Sequence, residues 1–120
     1  MPDKRILLAE DEPEVQQLLS HTLRGEGYVV DVATTAAEAW AHLNTHAYAS
    51  VIADWRLPDG DGVSIADWAA EQGAHTLVMS GYLFQMPSGR ADRHQTLMKP
   101  LRPSEIIAAV EHSIGKAESR

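Results

Sequence analysis

The sequence contains no cysteine and no long apolar run, and these absences exclude several kinds of protein. Without Cys there are no disulfide bonds, thiolate metal sites or cysteine nucleophiles, which agrees with a reducing compartment. The longest apolar stretches have only about five residues, far fewer than the roughly 20 that cross a bilayer, and no signal-peptide core follows the basic residues near the start. We therefore expect a cytoplasmic protein with no membrane partner.

Positive charge is also scarce. The chain has 10 Lys and Arg against 17 Asp and Glu, which gives a formal net charge of −7. Binding to nucleic acid depends on Lys and Arg that neutralise phosphates. The charge balance therefore argues against direct contact with nucleic acid.

What is present is typical of one folded domain. Hydrophobic residues make up 44% of the chain and charged residues 22%, which is ordinary globular composition. A chain of 120 residues is long enough to form one hydrophobic core but too short to form a second. We expect residues 1–120 to form a single domain, with any output domain outside this chain.

Short apolar runs alternate with amphipathic stretches along the sequence. The predicted strands cover residues 5–9, 28–33, 51–53, 76–79 and 96–98. Pro13 is placed to open the first helix, and Gly27 is placed to end it in a left-handed conformation. The apolar stripe predicted for that helix consists of Val15, Leu18, Leu19 and Leu23.

Three further helices are predicted from capping and periodicity. Thr35 and Glu38 have the spacing of a capping box at the start of the second helix. A third helix is expected over residues 63–72, and a last one after Pro103. Between Ser80 and Lys99 the periodicity fails, which predicts a short or irregular fourth helix.

This alternation predicts an α/β fold in which right-handed crossovers place helices on both faces of a parallel sheet. Five such units make a flavodoxin-like, doubly wound domain with strand order 2-1-3-4-5 and about five helices. Ligands of such folds bind outside the carboxyl ends of the strands.

Polar residues follow four of the five predicted strands at that edge. They are Glu10, Asp11 and Glu12 after the first strand, Asp54 after the third, Ser80 after the fourth and Lys99 after the fifth. Clustered carboxylates repel one another unless a cation lies between them, and oxygen ligands without His or Cys favour Mg²⁺. Lys99 and Ser80 could then contact a phosphoryl group that is transferred to Asp54 as the nucleophile.

Each of these residues alone also has a structural interpretation. A lone Asp54 or Ser80 is an ordinary turn residue, Lys99 a surface lysine, and the acids near Pro13 favourable charges at a helix N-terminus. The functional interpretation depends on their convergence at one edge of the sheet.

Four segments of the sequence resemble the receiver domain of two-component response regulators, in order and in spacing. They are LLAEDEP at 7–13, VIADWRLPDGDG at 51–62, LVMSGY at 77–82 and LMKPL at 97–101. The resemblance implies that Asp54 accepts a phosphoryl group from a histidine kinase, a histidine phosphotransfer protein or a small donor such as acetyl phosphate. Lys99 would pair with that group, and Ser80 would move toward it after transfer.

The resemblance also implies a magnesium site. Mg²⁺ would be bound by Asp11, Asp54 and the backbone carbonyl of Arg56, with Glu10 acting mainly through a bound water molecule. Such a domain catalyses its own phosphorylation and dephosphorylation but turns over no external substrate.

Several positions depart from the family pattern or adjust it. Thr96 stands where the family usually has an aromatic residue that reports phosphorylation, and the segment from Ser80 to Lys99 is short and contains Pro87. Gly81 leaves the site open to a donor, and we expect bulky Arg56 and Tyr82 to restrict the water that hydrolyses the aspartyl phosphate.

Two other functions stay open at this stage. One is an interaction domain that signals without phosphate, favoured by Thr96 and the broken fourth segment. The other is a phosphatase with an aspartyl intermediate, which Arg56 opposes because such enzymes commonly carry an acid there. The downstream protein partner and the oligomeric state, monomer or phosphorylation-linked dimer, are not predicted.

Overall fold

The computed structural model describes residues 4–81, 89 and 91–117. The strands are, in chain order, β1 Arg5–Ala9, β2 Val29–Ala33, β3 Ser50–Asp54, β4 Arg56–Leu57, β5 Gly60–Asp61, β6 His75–Ser80 and β7 Gln95–Met98. The helices are α1 Pro13–Gly25, α2 Ala36–Thr45, α3 Gly62–Glu71 and α4 Pro103–Ile114. In the described part of the chain, no helix is both long and apolar enough to cross a membrane.

Five parallel strands form the central sheet in the order β2-β1-β3-β6-β7. This is the predicted order 2-1-3-4-5, because β4 and β5 form a separate antiparallel hairpin. The register pairs Ala9 with Ala53, Asp54 with Met79 and Ser80 with Met98. The carboxyl ends of four strands therefore meet at one edge of the sheet.

The helices cover both faces of the sheet, as the predicted α/β architecture requires. One core lies beneath α1 and α4, and its largest buried side chains include Leu19, Leu23 and Ile106. The other lies beneath α2 and α3 and contains Leu43 and Ile65. The central strand β3 is buried along its whole length, which explains the apolar run at residues 51–53.

The interpretation of Leu18 as part of the buried stripe of α1 was wrong. Leu19 and Leu23, four residues apart, are fully buried, whereas Leu18 is 45% exposed. Residues four apart lie on the same face of a helix, whereas Leu18 lies about 100° around the helix from Leu19. This apolar side chain is therefore available at the surface.

The predicted signals at the ends of α1 are confirmed, whereas the predicted capping box of α2 forms only in part. Pro13 is the first residue of α1, and Gly27 beyond its end has a φ of 99°. At α2 the hydroxyl of Thr35 accepts a hydrogen bond from the Glu38 N–H at 3.1 Å. The N–H of Thr34, and not that of Thr35, donates to Glu38 Oε1 at 2.7 Å.

The β4–β5 hairpin was not predicted as strands, although it fixes the loop after β3. The carboxylate of Asp59 accepts hydrogen bonds from the N–H groups of Ala36 at 2.7 Å and Ala37 at 3.1 Å. These bonds lower the pKa of Asp59. They attach the hairpin to the N-terminus of α2, where unpaired N–H groups attract a carboxylate.

The short or irregular fourth helix was predicted for a stretch that lies mostly outside the described residues. Of that stretch, Gly89 and residues 91–93 form turns. The N–H of His94 donates to the carbonyl of Ala91 at 3.0 Å.

Candidate functional site

Asp54 and Lys99 meet at the carboxyl edge of the sheet, although 45 residues separate them along the chain. Asp54 is the last residue of β3, and Lys99 directly follows β7. The Lys99 N–H donates to the carbonyl of Ser80 at 2.9 Å, which continues the pairing of β7 with β6. The Lys99 ammonium consequently reaches inward and lies 2.7 Å from Asp54 Oδ2.

Three carboxylates surround the Lys99 ammonium. Besides Asp54, Glu10 Oε1 lies 2.8 Å and Glu12 Oε1 lies 3.0 Å from Lys99 Nζ. The Glu10 side chain is fully buried, that of Asp54 is 11% exposed, and that of Glu12 is 61% exposed. The local charge of these four groups is negative, because one ammonium faces three acids.

Burial and ion pairing have opposite effects on the pKa values of Glu10 and Lys99. Burial raises the pKa of Glu10, although Lys99 opposes that effect. Burial alone would lower the pKa of Lys99, but its contacts with Asp54, Glu10 and Glu12 outweigh burial and raise it. The lysine is therefore a permanent cation in a pocket that still carries excess negative charge.

The same acids form a group that could hold a metal ion. One oxygen from each of Glu10, Glu12 and Asp54 lies within 4.8 Å of the others. Apart from its ion pair with Lys99, Glu10 Oε1 has no hydrogen-bond partner among the described residues. Such an oxygen is a suitable ligand for a hard cation or its bound water.

The predicted ligands are only partly represented in this group. Asp11 is half-buried and is not a member, whereas Glu12 is. The N–H of Arg56 donates to Asp54 Oδ1 at 3.3 Å, which holds the backbone of Arg56 beside the Asp54 carboxylate. The guanidinium of Arg56 lies over the ring of Trp55, 5.5 Å from its centroid.

The remaining predicted site residues differ in exposure. Ser80 is fully buried at the end of β6, and Gly81 next to it is exposed. No described atom lies within 4 Å of the position that a Cβ on Gly81 would occupy. Thr96 is exposed on β7, and Tyr82 lies outside the described residues.

Two groupings were not predicted from the sequence. Glu12 was grouped with the acids that follow the first strand but was not predicted as a site residue, and its contact with Lys99 depends on the distant strand β7. Asp67, Thr76 and the buried His94 form a second polar cluster, in which His94 Nε2 lies 2.6 Å from Asp67 Oδ1 and His94 Nδ1 is hydrogen-bonded to Thr76 Oγ1. Only the fold brings these three residues together.

Known proteins of similar sequence are response regulators. Response regulator Rre1 of Synechocystis is 30% identical over 122 residues, which cover 95% of this chain and 53% of that protein. Response regulator RppA of Synechocystis is 32% identical over 111 residues, which cover 87% of this chain and 47% of that protein. The chain spans about half the length of the curated relatives it matches.

Solved structures agree in fold. A CheY-like response regulator receiver domain protein from Methanospirillum hungatei has a TM-score of 0.79 at 27% identity, covering 92% of this chain and 93% of that one. The response regulator TrrA from Thermotoga maritima, in complex with Mg²⁺-BeF, has a TM-score of 0.80 at 26% identity, covering 91% of this chain and 97% of that one. The sequence profile of the response regulator receiver domain matches residues 6–111. The chain therefore belongs to the receiver domain family of two-component response regulators.

Proposed function

We propose that this domain is the phosphoacceptor of a two-component phosphorelay and that Asp54 receives the phosphoryl group. The observation that carries the proposal is the 2.7 Å contact between Lys99 Nζ and Asp54 Oδ2 at the carboxyl edge of the sheet. A buried ammonium beside a carboxylate can neutralise the charge of a phosphoryl group that arrives on that carboxylate.

The transfer needs one nucleophile and no added proton. A carboxylate oxygen of Asp54 attacks the phosphorus atom in line and forms a new P–O bond. The bond from phosphorus to the donor breaks, and its electron pair goes to the donor oxygen or nitrogen. Lys99 balances the charge, and Ser80 donates its hydroxyl to a phosphoryl oxygen once its side chain turns toward the site.

The acidic group fits a bound Mg²⁺. Glu10 and Asp54 offer carboxylate oxygens in one pocket, and Glu10 Oε1 has no hydrogen bond from the described residues. Asp11, Asp54 and the carbonyl of Arg56 are the proposed direct ligands, with Glu10 binding through water. A bound Mg²⁺ would supply positive charge that neutralises the phosphoryl oxygens.

The proposed donor is a histidine kinase or a histidine phosphotransfer protein. An apolar groove of about 590 Å³ begins at Glu12, Gly81 and Lys99 and is lined along α1 by side chains that include Leu18. We propose that a helix of the donor packs its apolar face in this groove, which would bring a phosphohistidine to Asp54. The exposure of Leu18 supports this use of α1.

Incubation with acetyl phosphate and Mg²⁺, followed by intact mass measurement, tests the proposed function. The wild type should gain one phosphoryl group, and Asp54→Asn should gain none. An unchanged wild-type mass with both acetyl phosphate and competent histidine kinases as donors would refute it.

A second function, a constitutive interaction domain, is favoured by one observation. Thr96 is small and exposed on β7. It therefore cannot replace the aromatic side chain that, in the family, reorients at this position on phosphorylation. Partner binding that is equally strong with and without a stable phosphoryl mimic such as beryllofluoride would favour this alternative.

A further inference from the structure

The three carboxylates around Lys99 are not equally easy to separate from it. Glu10 and Asp54 are buried or nearly so, whereas the Glu12 side chain is 61% exposed. A buried carboxylate that loses its cation also lacks water, but an exposed one is hydrated again at once. Glu12 is therefore the partner that Lys99 can release at the lowest cost.

The start of α1 does not depend on the Glu12 side chain. Glu12 is the N-cap residue of α1, but its side chain makes no capping hydrogen bond. Its backbone is fixed separately, because its N–H donates to Glu10 Oε2 at 2.9 Å. The contact with Lys99 can thus break without loss of the backbone contact with Glu10.

The Lys99 ammonium donates hydrogen bonds to Asp54 and Glu12 and forms an ion pair with Glu10. A phosphoryl oxygen that arrives on Asp54 therefore competes with these carboxylates for the ammonium. Glu12 is the most exposed of the three acids, and its negative charge lies in the groove that Lys99 also lines.

We propose that Glu12 is a positioning residue that holds Lys99 in the resting domain and is displaced by the incoming phosphoryl group. This inference rests on the proposed phosphorylation of Asp54. It predicts that Glu12 slows phosphorylation, both by occupying Lys99 and by repelling the donor.

The test compares Glu12→Gln with the wild type and with Glu14→Gln, a change of the same charge at an exposed residue in the first turn of α1. Initial rates of phosphorylation by acetyl phosphate are measured by intact mass over a range of Mg²⁺ concentrations. At saturating Mg²⁺, Glu12→Gln should react about two to five times faster than the other two proteins, as expected for loss of one exposed ion pair. The Mg²⁺ concentration that gives half the maximal rate should not change.

Four results would overturn the inference. If Glu12→Gln and Glu14→Gln accelerate the reaction equally, the effect is one of general charge and not of the contact with Lys99. If Glu12→Gln reacts no faster than the wild type, Glu12 does not restrain Lys99. If the variant instead needs more Mg²⁺ to reach half its maximal rate, Glu12 serves as a metal ligand. If the wild type itself gains no phosphoryl group, the proposed function fails first.

Discussion

Gly62 packs directly against the backbone of Asp54. Its N–H donates to the carbonyl of Trp55 at 2.9 Å, and a Cβ at Gly62 would overlap the carbonyl oxygen of Asp54. The same Cβ would lie 2.7 Å from the Asp54 carbonyl carbon and 3.2 Å from Ala53 Cβ. The start of α3 can therefore lie beside Asp54 only if position 62 is glycine.

Gly62→Ala should lower the free energy of unfolding by about 3 kcal/mol, because the added methyl group forces β3 and α3 apart. Gly25→Ala is the matched control: no described atom lies within 4 Å of its added Cβ, and it should leave stability unchanged or raise it by about 0.5–1 kcal/mol. Urea unfolding measures both. Equal stability of the two variants would contradict the close approach of Gly62 to Asp54.

Asp31 should make stability depend on pH. Asp31 Oδ2 accepts hydrogen bonds from Arg5 at 2.8 Å and from the Tyr48 hydroxyl at 2.6 Å. Burial raises the pKa of Asp31, but the two hydrogen bonds and the positive charge of Arg5 outweigh burial, so that the pKa is lowered. A carboxylate with a lowered pKa stabilises the fold above its ordinary pKa, and this stabilisation is lost as the pH falls through the lowered value.

Asp31→Asn should therefore cost about 1 kcal/mol at neutral pH, and the difference from the wild type should shrink below about pH 4. Tyr48→Phe removes one of the two hydrogen bonds. Its free energy of unfolding at neutral pH should lie between those of the wild type and Asp31→Asn. Urea unfolding at several pH values measures this dependence. A cost that stays constant down to strongly acidic pH would show that the charge of Asp31 is not involved.

The Asp67–His94–Thr76 cluster should act as one unit in stability. The His94 side chain is fully buried and joins α3 to β6 just before β7 begins. His94→Ala should cost about 2–4 kcal/mol, whereas the exposed His112→Ala should cost less than about 0.5 kcal/mol. A double-mutant cycle of His94→Ala with Asp67→Asn should give a coupling of about 0.5–3 kcal/mol, and strict additivity would contradict the contact.

Arg56 and Tyr82 should lengthen the lifetime of the phosphorylated state. The Arg56 backbone is hydrogen-bonded to Asp54, and its guanidinium lies over Trp55 at the surface. The double variant Arg56→Ala, Tyr82→Ala should lose its phosphoryl group about two to ten times faster, because water reaches the aspartyl phosphate more easily. Loss of the phosphoryl mass over time measures this, and equal rates would refute the role of both residues.

Local signals in the sequence predicted most of the fold. Pro13, Gly27 and the pair Thr35 and Glu38 act within one helical turn, so their effect does not depend on the rest of the chain. The alternation of strands and helices predicted a parallel sheet, and the order 2-1-3-4-5 is that of the flavodoxin-like architecture. Leu18 shows the limit of a local pattern, because an apolar side chain beside a buried stripe can still face solvent.

The site was predicted as a set of residues but not as a set of contacts. Asp54, Ser80 and Lys99 were recognised because each follows a strand, and parallel strands end at one edge. The contact of Glu12 with Lys99 and the cluster around His94 join residues that are far apart in sequence. Their geometry depends on side-chain packing, which no local pattern specifies.

The most direct test of the account is chemical identification of the acceptor. The domain is incubated with acetyl phosphate and Mg²⁺ and then reduced with borohydride, which converts an aspartyl phosphate to homoserine, and its peptides are sequenced by mass spectrometry. The account predicts homoserine at position 54 and at no other acid of the pocket. Homoserine at position 11, or none anywhere in a domain that receives phosphate from its kinase, would contradict it.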